Sequence, residues 1–209
     1  AQTAPMADIL APADGGLADG NEEGYRRALE AIGDKARDMQ RMLSQLLMLA
    51  RGYEGRFDVD LLNTDLAAVV EDIAAEMLPI AGEKDISVER DIQPGLYLKM
   101  DLMLFTQMLM NLTDNGIKYG RAGGRLTIRL HQEGGRILLQ VKDDGVGIPA
   151  EDLPHLFDRF YRSDKARSGE GFGLGLSIVE WIASLHGGQI SVHSREGEGT
   201  AFLLSFPAE

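Results

Sequence analysis

"DDGVGIP", residues 143 to 149, is the stretch on which the reading of this chain turns. Two carboxylates follow the β-rich run "RILLQVK" (136–142), and Gly145 and Gly147 then let the backbone turn sharply and come close against a flat partner. A carboxylate fixed at such a turn accepts a hydrogen bond from an exocyclic amine. A second glycine stretch follows, "GEGFGLGLS" (169–177), in which Gly171, Gly173 and Gly175 run directly into a helical pattern. Backbone N–H groups and a positive helix end are there presented to an anion. The rhythm is superficially that of G-x-G-x-x-G, but no strand precedes it and no G-x-x-x-x-G-K-[ST] run occurs. Neither a Rossmann nor a P-loop site is supported. Between the two stretches, "FDRFYRSDKARSGE" (157–170) holds Arg159, Arg162, Lys165 and Arg167 with little regular pattern, the shape of a cationic lid.

Upstream, "DLMLFTQMLMNLTDNGIKY" (101–119) predicts a long helix opened by Asp101. At about 100° per residue, Asn111, Asn115 and Lys118 share a narrow arc, while Phe105, Leu109, Leu112 and Gly116 fall roughly 115° away. Asn is a poor helix former, so a pair at i and i+4 needs a reason. The side-chain oxygens suit a hard cation such as Mg²⁺, which takes few protein oxygens and keeps waters and phosphates, and Lys118 can meet a phosphate directly. A plain solvated helix face is the competing reading; the glycine stretches tip the balance against it.

Further outward, "RLTIRL" (125–130) and "RILLQVKD" (136–143) flank "HQEGG" as a hairpin, and "QISVHS" (189–194) and "TAFLLSF" (200–206) flank "REGEG" as another. "DISVERDI" (85–92) and "GLYLKM" (95–100) read as strands. Leu66, Val69, Val70, Ile73 and Met77 predict an amphipathic helix stopping around Pro79, and residues 174–185 predict another, closed by "HGG". Interleaved helices and mostly antiparallel strands predict an α+β fold, a sheet with helices on one face.

Residues 1–24, rich in Ala, Gly, Asp and Pro, predict a loose or partly ordered segment. A heptad seam then begins at Leu29, Ile32, Ala36, Met39, Leu43, Leu46 and Ala50. One helix cannot bury that stripe alone; it either packs on its own domain or forms half of a dimerising helical hairpin. "RGYEGRF" (51–57) ends the helix and reads as a linker, dividing the chain into a segment 1–55 and a domain 56–209.

The composition narrows the function. With 44% apolar and 26% charged residues in 209, the chain reads as an ordinary soluble globular protein. No apolar run is long enough to span a bilayer, and no signal-peptide pattern occurs. The absence of cysteine excludes disulfides and thiolate metal sites and fits a reducing compartment. A net charge of −12 argues against nucleic acid as a partner. Any anionic ligand must be held by a local arrangement.

"NLTDNGIKY" (111–119), "DDGVGIP", "LFDRFYR" (156–162) and "GFGLGLSIV" (171–179) resemble, in order and at suitable spacing, the N, G1, F and G2 boxes of sensor histidine kinases of two-component systems. The likeness covers roughly residues 60–206, and the heptad helix resembles the second helix of that family's dimerisation and phosphotransfer hairpin. The resemblance implies a two-layer α/β sandwich, the Bergerat-type ATP-binding fold, preceded by a helical-hairpin or coiled-coil segment. It implies Mg²⁺ and ATP as ligands, with γ-phosphoryl transfer to a histidine and then to a response-regulator receiver domain. It also implies a homodimer through the helical segment, and a cytoplasmic location as the soluble portion of a sensor that can be anchored in the inner membrane.

By the same resemblance, Asp143 matches the carboxylate that takes the adenine amine, with Gly145 and Gly147 making room for the base. Asn115 matches the Mg²⁺ ligand, Asn111 and Lys118 the polar residues near the phosphates, and Tyr119 the aromatic beside the nucleotide. Arg162 matches a phosphate contact. Gly171, Gly173 and Gly175, with Leu174 and Leu176 between and beside them, match the phosphate-facing backbone and hinge, and Phe157 and Phe160 would anchor the lid's base on the core.

Two departures stand out. The family's box reads Asn-Ala where this chain has Asn115-Gly116, and a helix-interior Gly costs about 1 kcal/mol against Ala. None of the four histidines (His131, His155, His186, His193) lies in the N-terminal region where the acceptor belongs. "TAPMADIL" (3–10) resembles the tail of that box without its histidine, which by alignment on Pro5 would fall about at the residue before Ala1. The histidines present are expected to be surface or internally satisfied. Another branch of the same ATPase superfamily would want a Glu as water-activating base on the 101–119 helix, and position 111 is Asn. A nucleotide-binding adaptor without an acceptor is the alternative from outside enzymology.

Overall fold

The computed structural model describes residues 21–53, 59–163 and 172–208. The box-like segment 3–10, the end of the expected linker, Lys165, Arg167 and Gly171 lie outside them. The chain divides into two compact units, Ala1–Arg56 and Phe57–Glu209.

In the first unit, α1 (Glu22–Tyr53) carries the heptad seam. It begins within the stretch expected to be loose and runs through Gly52, so the helix is longer at both ends than its glycines and acidic start suggest. Exposed i,i+3 pairs, Asp34 with Arg37 and Asp38 with Arg41, line its polar side. Leu29, Leu43 and Leu47 on its apolar side are exposed.

The second unit is a two-layer sandwich. Its sheet has the order β2 (Ser87–Ile92), β4 (Arg125–Glu133), β5 (Arg136–Asp143), β7 (Gly199–Pro207), β6 (Gln189–Arg195). Only β2 and β4 pair in parallel; the other neighbours are antiparallel. Alternation puts Leu126, Ile128, Leu130, Ile137, Leu139, Val141, Phe202, Leu204 and Phe206 on one buried face. Against it lie α2 (Leu66–Gly82), α3 (Leu102–Tyr119) and α4 (Gly175–Leu185), contributing Phe105, Met108, Leu109, Leu112, Ile178 and Ile182. At about 25 cal/mol per Å² this apolar burial is the main stabilising term.

Two elements differ from expectation. Helix α2 does not stop at Pro79 but continues to Gly82, because its buried stripe runs on from Met77 to Ala81 one turn later. Proline forfeits one backbone bond there, and burial outweighs it. A short strand, β1 (Leu62–Asp65), pairs antiparallel with β3 (Tyr97–Met100), Leu62 opposite Met100. "LNTD" has no strand pattern of its own; its partner, distant in sequence, makes it one.

Candidate functional site

Helix α3 is fixed at both ends. The Asp101 carboxylate accepts from Leu104 N at 3.1 Å, and the Asp101 N–H donates to His186 Nε2 at 3.0 Å. At the far end, Lys84 Nζ donates to the carbonyls of Ile117 (3.1 Å) and Lys118 (2.8 Å), satisfying groups the helix leaves unpaired. Between these anchors Phe105, Leu109, Leu112 and Gly116 are buried while Asn111, Asn115, Lys118 and Tyr119 are half-buried, as the arc geometry requires. Gly116 has a local reason: a β-carbon there would stand 2.5 Å from Leu126 Cδ1 and 3.8 Å from Asp143 Cβ. The helix therefore lies directly on the end of β5.

Asp143 closes β5 and is only 6% exposed. Its Oδ1 accepts from Gly145 N at 2.9 Å. Burial raises its carboxyl above the ordinary value against the pull of the Gly145 and Thr200 backbone N–H groups, and the neighbouring Asp144 charge adds to the rise. The adjacent Asp144 has a different task. It accepts from Arg125 N at 2.9 Å and pairs with Arg121 at 3.1 Å. Burial pushes its carboxyl up, but those bonds and the Arg121 charge outweigh it and hold the pKa low. One carboxylate is thus buried and met by backbone N–H groups, and the other pins a turn.

The glycines after Asp143 are needed, for a reason sequence reasoning missed. A β-carbon at Gly145 would lie 2.2 Å from Tyr119 O, and Val146 N donates to that same carbonyl at 3.1 Å. At Gly147, with φ +65°, it would lie 2.0 Å from Arg195 O. The space these residues leave is taken by protein backbone: the loop is laid between the end of α3 and the β6–β7 hairpin.

The opposite wall is the start of α4. Gly173 (φ +71°) packs against the backbone of Phe160 and Tyr161, and Phe160 N donates to Gly173 O at 2.9 Å. Phe160 is itself left-handed (φ +65°) and is 57% exposed, so its side chain is not buried on the core as expected; its backbone N–H is what bonds to Gly173. Phe157 is half-buried. Leu174 is buried, leaving only its backbone toward a ligand, and Leu176 is half-buried. Leu174 at the N-cap makes no side-chain capping bond, so the first-turn N–H groups of α4 suit an anion. A β-carbon on Gly175 would stand 4.0 Å from the Asn111 carboxamide, which brings this helix end to the polar face of α3.

Lys118 Nζ stands 5.4 Å from the Tyr119 ring centre. Burial raises the Tyr119 phenol pKa, the Arg162 charge pulls it back, and Asp114 adds to the rise, so Arg162 acts electrostatically on the residue that ends α3. Asn111 Nδ2 is buried with no hydrogen-bond partner among the described residues. An orphaned donor on α3 beside the first residue of α4, with a buried carboxylate against Gly116 further along the same helix, fits a ligand with an anionic end and an amine-bearing end. Among the described residues no group of three His, Asp or Glu side chains is placed to hold a metal by itself. A divalent cation here fits only if phosphates supply most of its oxygens.

The histidines stand apart from this site. His186 is buried, its Nδ1–H donating to Ile182 O at 2.7 Å; His155 pairs with Asp158 at 3.0 Å; His193 is an exposed strand residue and His131 lies near the end of β4. Sequence reasoning missed Ser194, whose hydroxyl accepts from Ile148 N at 2.9 Å; a lone strand serine carries no signal of such a contact.

Comparison with known proteins gives a consistent picture. Residues 100–209 match the family model described as histidine kinase-, DNA gyrase B-, and HSP90-like ATPase. The sensor histidine kinase YkoH of Bacillus subtilis is 39% identical over 186 residues, covering 88% of this chain and 40% of that protein. The sensor-like histidine kinase SenX3 of Mycobacterium bovis is 34% identical over 202 residues, covering 96% and 48%. Among solved structures, the mycobacterial sensor histidine kinase MprB matches with a TM-score of 0.63 and 28% identity, covering 71% of this chain and 98% of that one. The chain spans less than half the length of these curated relatives.

Proposed function

Because the chain belongs to the histidine kinase-, DNA gyrase B-, and HSP90-like ATPase family, and its relatives are sensor histidine kinases, we propose that it is the Mg-ATP-binding catalytic portion of such a kinase. The whole protein would transfer the γ-phosphoryl group of ATP to a histidine and thence to the receiver domain of a response regulator. The observation that carries the reading is Asp143, a buried carboxylate at the end of β5 lying against Gly116 of α3, the helix whose Asn111 meets the first residue of α4.

In this assignment Asp143 takes the adenine amine, and Tyr119 flanks the nucleotide. Asn111, Lys118 and Arg162 serve the phosphates together with the first turn of α4 at Gly173, Leu174, Gly175 and Leu176. Asn115 lends an oxygen to Mg²⁺, which when bound neutralises phosphate charge. Catalysis of phosphoryl transfer is mostly positioning and charge stabilisation, so a polar helix face opposite an uncapped helix end suffices for the donor half of the reaction. The acceptor is proposed to be a histidine outside the ATP-binding domain. We further propose a cytoplasmic location and dimerisation through the exposed apolar residues of α1, with the ATP-binding domain beginning near residue 56. No helix among the described residues is long and apolar enough to cross a membrane.

Calorimetric titration with Mg-ATP and Mg-GTP tests the ligand: binding of ATP with strong preference over GTP is expected, and no binding of ATP would overturn the assignment. Labelling of the native full-length protein with γ-labelled ATP tests the reaction. An acid-labile, alkali-stable phosphate supports it; ATP hydrolysis without any protein labelling would favour another branch of the ATPase family.

A further inference from the structure

The loop after Asp143 is held from a distance. Gly197 N donates to Val146 O at 2.8 Å, and Ile148 N donates to Ser194 Oγ at 2.9 Å, both from the tip of the β6–β7 hairpin. Ser194 Oγ also contacts Gly199 O at 2.8 Å and Thr200 Oγ1 at 2.9 Å. A serine hydroxyl has one proton and accepts twice. Gly199 O has no proton to give, so it must receive the Ser194 proton; Ile148 N–H fills one lone pair. The remaining contact then requires Thr200 to donate to Ser194. Thr200 in turn meets the Asp143 carboxylate through its backbone N–H, as Gly145 does, so Ser194, Thr200 and Asp143 form one hydrogen-bonded chain.

We infer that Ser194 is a positioning and specificity-determining residue of the nucleotide site. Its hydroxyl registers the Val146–Ile148 loop on the hairpin and holds Thr200, whose backbone N–H meets Asp143, so the buried carboxylate keeps the place from which it faces an amine donor. A purine with an exocyclic amine at the position facing Asp143 gains from this; one with an oxo group there meets acceptor against acceptor. The inference rests on the reading of the site as an ATP site. Gly147 supports it independently: its β-carbon would lie 2.0 Å from Arg195 O, so loop and hairpin are packed as one piece beside Ser194.

The test compares the parent chain, Ser194→Ala and Ser194→Thr. Titration of the parent with the magnesium complex of a non-hydrolysable ATP analogue checks the underlying reading; absence of binding there would remove that reading and this inference with it. Given binding, Ser194→Ala should raise the dissociation constant about tenfold and narrow the preference for the ATP over the GTP analogue. Ser194→Thr, which keeps the hydroxyl, should restore both. Amide exchange gives a readout without nucleotide: Ile148 should exchange at least about tenfold faster in Ser194→Ala and as in the parent in Ser194→Thr. An alanine variant that weakens both analogues equally, leaving their ratio intact, would overturn the specificity role. Unchanged Ile148 exchange would overturn the positioning role while the ATP reading stood.

Discussion

Gly175, the first residue of α4, approaches Asn111 of α3 so closely that a β-carbon on it would stand 4.0 Å from the Asn111 carboxamide. An uncapped helix end and an orphaned amide donor therefore share one corner of the molecule. Asp143 reaches the same helix one side over, its Cβ 3.8 Å from where a β-carbon of Gly116 would be. The consequences of this arrangement are open to measurement.

Asp143→Asn should raise the dissociation constant for ATP at least about tenfold, since an amide presents one acceptor where the carboxylate presents two. Relief of a buried charge and loss of an acceptor oppose each other in the nucleotide-free protein. Its melting temperature at pH 7 should stay within about 4 °C of the parent's. Calorimetry with parallel melting curves decides; ATP affinity retained in a folded variant sinks the adenine assignment.

Asn115→Ala should abolish the Mg²⁺ dependence of ATP binding and leave the fold intact, because the side chain is half-buried on the polar arc of α3. Titrations with and without chelator, read beside the far-ultraviolet spectrum, make the check. A variant that still needs Mg²⁺ for tight binding would move the metal role elsewhere.

Gly147→Ala should cost about 3 kcal/mol, combining left-handed strain with a β-carbon 2.0 Å from Arg195 O. Gly95 is the control: its φ is +74° but nothing lies within 4 Å of a β-carbon there. Gly95→Ala should cost only about 1–2 kcal/mol, the conformational part alone. Urea denaturation of the two variants separates strain from collision, and equal losses would show that the contact with the hairpin carries no weight.

His186 gives the fold a pH dependence. Burial lowers its pKa below 6.5, against the pull of the Ile182 carbonyl and the Asp101 charge. The unfolded chain therefore binds the proton more readily, so the neutral ring's contribution is complete above about pH 6.5 and is lost as pH falls toward the lowered folded value. Protonation also removes the acceptor for Asp101 N–H at the start of α3. Denaturation at pH 7.5 and 5.5 should show a smaller drop for His186→Gln than for the parent; equal drops would contradict this.

Much of the site is legible in the chain. The two faces of α3 follow from its period, because a 100° step fixes which side chains share an arc wherever the helix packs. Both hairpins follow from alternation and from glycines that only a left-handed turn requires, such as Gly135 at φ +74°. The order of the four boxes, carried by residues such as Asp143 and Asn115, was enough to indicate the family.

Only the tertiary structure decided the rest, and always where the partner lies far along the sequence. Strand β1 exists because β3 pairs with it, and α2 passes Pro79 because the core needs Ala81. Gly145 and Gly147 leave room for the carbonyls of Tyr119 and Arg195, which sequence proximity does not reveal. Phe160 turns its ring outward because its backbone is committed to Gly173, and Ser194 becomes a hub because strand pairing sets it opposite Thr200. Local periodicity encodes which groups share a surface; which surface they meet is settled by close packing and by the need of every buried donor for an acceptor.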